Sequence, residues 1–194
     1  VDVISSVQPE ELALSPAEAP AESRAEGCLE GLFRDHYAPL VGLLTRLTGD
    51  RSHAEEIAAD AFSKLARRPA LAEKREDATA WIYRVATNGG LDAVRANARR
   101  RKKEEAAHRE QLRDGARPGA LDMLLREERN ARVRAVLTDL KPRDAQVLLL
   151  RSGGAAYREI AQATGVQPSS IGTILARAER EFERKYRARY GEDV

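Results

Sequence analysis

Apolar residues recur three and four positions apart along this chain, the period of a helix with one buried face. Leu32, Phe33, Leu40, Val41, Leu44 and Leu47 predict a first core helix from Leu29, stopped by Gly49-Asp50. Ser52 followed by Glu55 has the spacing of a capping box. Behind it Ala54, Ile57, Ala58, Ala61, Phe62 and Leu65 make the face of a second helix, which Pro69 closes. A third helix begins near Asp77, carries Ala78, Trp81, Ile82, Val85, Ala86 and Gly89 inward, and runs on into a cluster of basic residues. Three helices with one shared seam predict a bundle of roughly 75 residues, a size that can fold alone.

The stretch 104–126 is charged, contains Gly115, Pro118 and Gly119, and has only scattered apolar positions, which predicts a linker. Beyond it Val133, Val136, Leu137 and Leu140 predict one helix. Val147, Leu148 and Leu150 predict another after Lys141-Pro142, and Ser152-Gly153-Gly154 breaks the chain. Residues 1–27 mix Pro, Ser, Ala and Glu without an apolar stripe and are expected to form a disordered acidic tail. The expected fold is therefore all-α: a tail (1–27), a helical domain (28–103), a flexible linker (104–126) and a second small helical domain (127–190).

Charge changes this picture because it is segregated. The formal net charge is +2, yet up to Glu30 there are seven acidic residues against Arg24, whereas Arg95, Arg99, Arg100, Arg101, Lys102 and Lys103 crowd together without an acid among them. A local basic patch can meet a polyanion whatever the total charge. The single cysteine, Cys28, excludes an internal disulfide framework and fits a reducing, cytoplasmic setting. No apolar run approaches the ~20 residues that cross a bilayer, so no membrane insertion is expected. His36, His53 and His108 are widely spaced, and neither a phosphate-binding glycine loop nor a nucleophile motif occurs, so no metal, cofactor or enzymatic activity is expected.

The most specific local pattern is YREIAQATGVQPSSIGTILAR at 157–177. Ala161 is small where two helices would cross, and Gly165 stands where the chain must turn sharply and positive φ is favoured. Gln167 and Pro168 suit the cap and first turn of a second helix. Ile171, Ile174, Leu175, Ala178 and Phe182 then fall on a buried face, leaving Ser170, Thr173, Arg177 and Arg180 on the opposite one. That is a helix-turn-helix whose second helix offers donors to a DNA major groove, with Arg158 placed for a phosphate and Tyr157 for edge packing.

Both halves together resemble the extracytoplasmic-function sigma factors, from about Leu29 to Tyr190. LFRDHYAPLVGLLTRLTGDRSHAEEIAADAF (32–62) resembles the first part of that family's region 2, and AWIYRVATNGGLDAVRANARRR (80–101) its promoter-melting part. LTDLKPRDAQVLLLRSGGAAYREIAQATGVQPSSIGTILARAEREF (137–182) resembles region 4. The resemblance implies a promoter-specificity factor with core RNA polymerase, promoter DNA and an anti-sigma factor as partners. Core polymerase would be met by Glu55, Glu56, Ala59, Asp60 and Ser63. The −10 element would be met by Tyr83, Arg84, Thr87, Asn88, Arg95 and Arg99, with Asp92 orienting a neighbouring group. The −35 element would be met by Arg158, Ser169, Ser170, Thr173, Arg177 and Arg180.

Three departures from the family pattern stand out. Ala59-Asp60 replaces the usual Gln-Glu, and the recognition helix carries few cations across Gly172-Thr173-Ile174-Leu175-Ala176. Gly89-Gly90 sits inside a helix where each glycine costs about 1 kcal/mol relative to alanine, a pair compatible with closer packing or with a local bend. Two other readings compete: an operator-binding regulator that works without polymerase, and a protein-interaction module that binds no promoter.

Overall fold

The computed structural model describes residues 21–107 and 120–191, and within them every regular element is a helix: α1 (Ala21–Thr48), α2 (Arg51–Ala66), α3 (Pro69–Ala72), α4 (Arg75–Ala107), α5 (Ala120–Asp139), α6 (Pro142–Ser152), α7 (Tyr157–Thr164) and α8 (Pro168–Tyr190). The all-α expectation holds. Most of the expected tail and the middle of the expected linker, residues 1–20 and 108–119, lie outside the described residues.

The first bundle packs α1, α2 and α4 around Leu32, Leu40, Leu44, Ala58, Leu65 and Ile82, all fully buried. Each buried Leu or Ile contributes roughly 1.5–3 kcal/mol, and the alanines of α2 let that helix sit close. Gly49 (φ 76°) ends α1, its N–H donating to the Thr45 carbonyl at 2.8 Å. The start of α2 differs from the capping box expected at Ser52. Asp50 is the cap, accepting from the His53 N–H at 3.2 Å, and Glu55 pairs with Arg51 at 2.8 Å instead of reaching back. An acid directly after the positive-φ glycine reaches the amide of the third helical residue first, which leaves Glu55 free for its i,i−4 arginine.

Helix lengths also exceed the sequence boundaries. Helix α1 starts at Ala21, inside the expected tail, and α4 and α5 extend into the expected linker as far as Ala107 and back to Ala120. AESRAEG, EEAA and ALDMLLREER are rich in strong helix formers, and propensity carries the helices past the point where the apolar stripe fades.

In the second half Val147, Leu150, Ile160, Ala161, Ile171 and Leu175 bury the helix-turn-helix core. Gly165 adopts φ 68°, as the motif requires, and the Val166 N–H closes the turn onto the Ala161 carbonyl at 3.0 Å. A Cβ at Gly165 would meet no atom within 4 Å, so the residue is needed for conformation and not for space. Gly165→Ala is expected to cost about 1 kcal/mol, read as a lowered urea midpoint with an unchanged slope.

The two halves, expected to be separate bodies on a tether, share an apolar seam. Leu43 and Leu47 of α1 and Leu91 and Val94 of α4 pack with Leu137 near the end of α5, Leu140 just beyond it, and Ala145 and Leu149 of α6. Tyr83 borders the cores of both halves and the seam between them.

Candidate nucleic-acid and protein interfaces

Helical geometry of about 100° per residue explains which candidate residues the fold gathers. On α2, Glu56, Ala59, Asp60 and Ser63 form one exposed stripe. Glu55 lies at its margin, half-buried and paired with Arg51, and Asp60 pairs with Lys64 at 2.7 Å. Beside this stripe the first bundle exposes an aromatic side chain that periodicity alone would bury: Phe33 is 44% exposed, stacked on Tyr37 at 4.4 Å and edge-on to Phe62 at 5.1 Å. A half-exposed aromatic next to an acidic face is a common anchor in protein docking.

On α4 four of the six −10 candidates share an arc of about 60°: Arg84, Asn88 and Arg99 are exposed, and Arg95 is held by Asp92 at 3.2 Å, the orienting role expected of that acid. Trp81 is half-buried against the first core, with the Arg68 guanidinium 4.9 Å above its ring. The other two candidates turn toward the second half. Thr87 is fully buried: its hydroxyl donates to the Tyr83 carbonyl at 2.6 Å and accepts from Gln146 Nε2 of α6 at 2.9 Å. It therefore presents nothing to DNA in this arrangement, because residue 87 lies on the side of α4 that α6 covers. Tyr83 is half-buried, with its ring edge-on to His36 at 5.9 Å. Burial pushes its phenol above the usual range and the Glu159 charge acts in the same direction, while burial and the nearby Arg75 hold His36 below its usual value.

The second helix of the helix-turn-helix projects Ser169, Thr173, Arg177 and Arg180 outward, with Ser170 half-buried. Arg158 is exposed in the first turn of α7, whose start is fixed by the Ala156 N–H donating to Glu159 Oε2 at 2.7 Å. Tyr157 packs at the outer edge, its ring 3.7 Å from where a Cβ on Gly172 would lie, an ordinary contact distance. Arg177 is already engaged, its Nη2 donating to Oδ1 of the buried Asp144 at 2.6 Å. Neither Asp144 nor Gln146 stood out in the sequence: a lone acid and amide near the start of an amphipathic helix look like its solvated face.

Residues 32–100, which build the larger part of α1, all of α2 and α3 and most of α4, match the model of sigma-70 region 2. Over 154 residues the chain is 29% identical to the protein named probable ECF RNA polymerase sigma factor SigI of Mycobacterium tuberculosis (strain ATCC 25618 / H37Rv), a match covering 77% of this chain and 52% of that protein. Over 157 residues it is 26% identical to the RNA polymerase sigma factor YlaC of Bacillus subtilis (strain 168), covering 80% of this chain and 90% of that one. Both runs are too long to be region 2 alone. The chain is similar to extracytoplasmic-function RNA polymerase sigma factors and carries a sigma-70 region 2. It spans about half the length of the SigI relative. The first bundle is thus the part that corresponds to region 2. Among the described residues no helix is long and apolar enough to cross a membrane.

Proposed function

We propose that this chain binds core RNA polymerase in the cytoplasm and directs initiation at particular promoters. Region 2 docks through the α2 stripe of Glu56, Ala59, Asp60 and Ser63, with Glu55 at its edge and Phe33 as an apolar anchor. The α4 arc of Arg84, Asn88, Arg95 and Arg99 holds the separated −10 strand, where guanidinium groups meet phosphates and the Asn88 amide reads a base edge. Ser169, Ser170 and Thr173 at the start of α8 face the −35 major groove, with Arg158 on the backbone and Arg177 and Arg180 further along. An anti-sigma factor that covers these faces is the natural regulator, and catalysis belongs to the polymerase.

The observation that carries this reading is the match of residues 32–100 to region 2 on one chain with a helix-turn-helix whose outward face is polar. Sequencing transcripts made by core enzyme with and without the protein tests it. New start sites with a shared upstream pattern are expected; none would reject it. An operator-binding regulator would instead bind duplex DNA and leave core enzyme untouched. Asp60→Arg places a cation where the docking face is acidic and is expected to weaken core binding about tenfold or more, measured by polarisation titration, with the helical circular dichroism unchanged.

A further inference from the structure

Between the α1–α4 corner of the first half and the α6–α7 junction of the second lies a cleft of about 640 Å³, a size that suits a small organic molecule. Its floor is apolar and closed: Leu43, Leu150 and Ala163 are each 2% exposed. One wall is aromatic, formed by the half-buried rings of His36 and Tyr83, which meet edge-on at 5.9 Å. Burial lowers the imidazole pKa and raises that of the phenol, so both rings are uncharged at neutral pH. Charge enters only at the rim, on the exposed side chains of Arg75, Glu76, Arg158 and Glu159.

Three of these four charges are already answered. Arg75 pairs with Asp35, and Glu159 accepts from the Ala156 N–H at the start of α7, at 2.7 Å. Glu76 lies in the first turn of α4, where the positive end of the helix offsets it. Arg158 makes no ion pair among the described residues. A guanidinium left over beside an apolar floor and a ring-lined wall fits a molecule with a flat apolar body and one anionic group. A cation would find no acid without a counter-charge, and a purely apolar molecule would leave the guanidinium unused. The Gln162 amide, also on the rim, offers a further donor.

We propose that this cleft is a binding site for a small aromatic carboxylic acid, its ring on Leu43 and Leu150 beside the His36–Tyr83 pair and its carboxylate on Arg158. Neither half makes the site alone, since the rings come from α1 and α4 and the guanidinium from α7. Binding therefore stabilises the folded protein, and the thermal midpoint rises with ligand concentration. The site goes beyond the functional reading above: neither polymerase nor DNA takes part in it.

Calorimetric titration of the full chain with 2-naphthoate, benzoate and the neutral 2-naphthalenemethanol tests it. Saturable one-to-one binding of naphthoate is expected, with benzoate weaker because it buries less ring. The alcohol should bind about tenfold more weakly than naphthoate, as expected when one charge-assisted hydrogen bond is lost. Arg158→Met keeps the length of an exposed side chain and removes its charge. It should bring naphthoate down to the level of the alcohol and leave the alcohol unchanged. Ala155→Trp fills the cleft and should remove both, and Arg158→Met keeps the test decisive where that bulk disturbs folding. In nitrogen-15-labelled protein, amide shift changes on adding naphthoate should centre on Thr79, Gly153, Gly154 and Ala155. Failure of both acids to bind overturns the proposal and leaves the cleft to water. Binding that ignores Arg158→Met, or shift changes centred on another surface, overturns it as well.

Discussion

Arg177→Ala is expected to lower the unfolding free energy by about 2 kcal/mol, an effect larger than that of an outward arginine with no partner. The cause is Asp144, 4% exposed in the first turn of α6, whose carboxylate accepts from Arg177 Nη2 at 2.6 Å. Removing one member of a buried pair strands the other. The loss falls short of that for a fully buried pair because the Arg177 side chain is 56% exposed and water can follow it out. The positive end of α6 further shelters the acid. Chemical denaturation of Arg177→Ala, Asp144→Ala and the double variant should give a coupling of about 1 kcal/mol or more. The same set decides what Arg177 does on DNA. If the arginine positions α8 through Asp144, the double variant regains −35 affinity relative to Arg177→Ala. If it reads a base, affinity stays low whether or not the acid is present.

This pair shows where sequence reasoning stops. Periodicity of three and four placed the helices and their inward faces because burial of Leu, Ile and Ala is a local rule applied along one helix. It also identified the turn at Gly165, where a single backbone conformation excludes other residues. It placed Arg177 on the polar face of its own helix, which is correct as far as one helix goes, while the family resemblance pointed Thr87 at DNA. Whether a polar face meets water, DNA or another helix is settled by partners 33 and 59 residues away in the chain, Asp144 and Gln146, and no local pattern encodes such a pairing. The same limit hid the seam. Leu43, Leu47, Leu91 and Val94 look like ordinary core positions of a three-helix bundle, and only the assembled helices show that part of their surface is closed by α6. Phe33 errs in the opposite direction, an apolar residue at helical spacing that the bundle leaves exposed.

Gly90→Val is expected to destabilise the protein by about 2–3 kcal/mol, whereas Gly89→Ala should be neutral or stabilise it by up to about 1 kcal/mol. The two glycines are adjacent, so helix propensity alone would have alanine or valine improve both. Their surroundings differ. A Cβ at Gly90 would lie 2.7 Å from Leu47 Cδ2 and 2.9 Å from Leu44 Cδ2, closer than real carbon contacts allow, and both leucines are fully or almost fully buried with no space to retreat. A Cβ at Gly89 would meet Ile57 Cγ2 at 3.2 Å, and Ile57 is half-buried, so its methyl can yield by a few tenths of an ångström. Since α4 continues as one helix from Arg75 to Ala107, the pair does not break it: Gly90 serves close approach to α1, and Gly89 faces Ile57 of α2. Leu47 also belongs to the seam with α5 and α6, so the strain at Gly90 reaches both halves. Thermal unfolding of Gly90→Val should therefore show a lower midpoint, while Gly89→Ala leaves it in place or raises it. Equal destabilisation by the two substitutions would mean that backbone freedom, and not the contact with Leu44 and Leu47, is what the glycines supply.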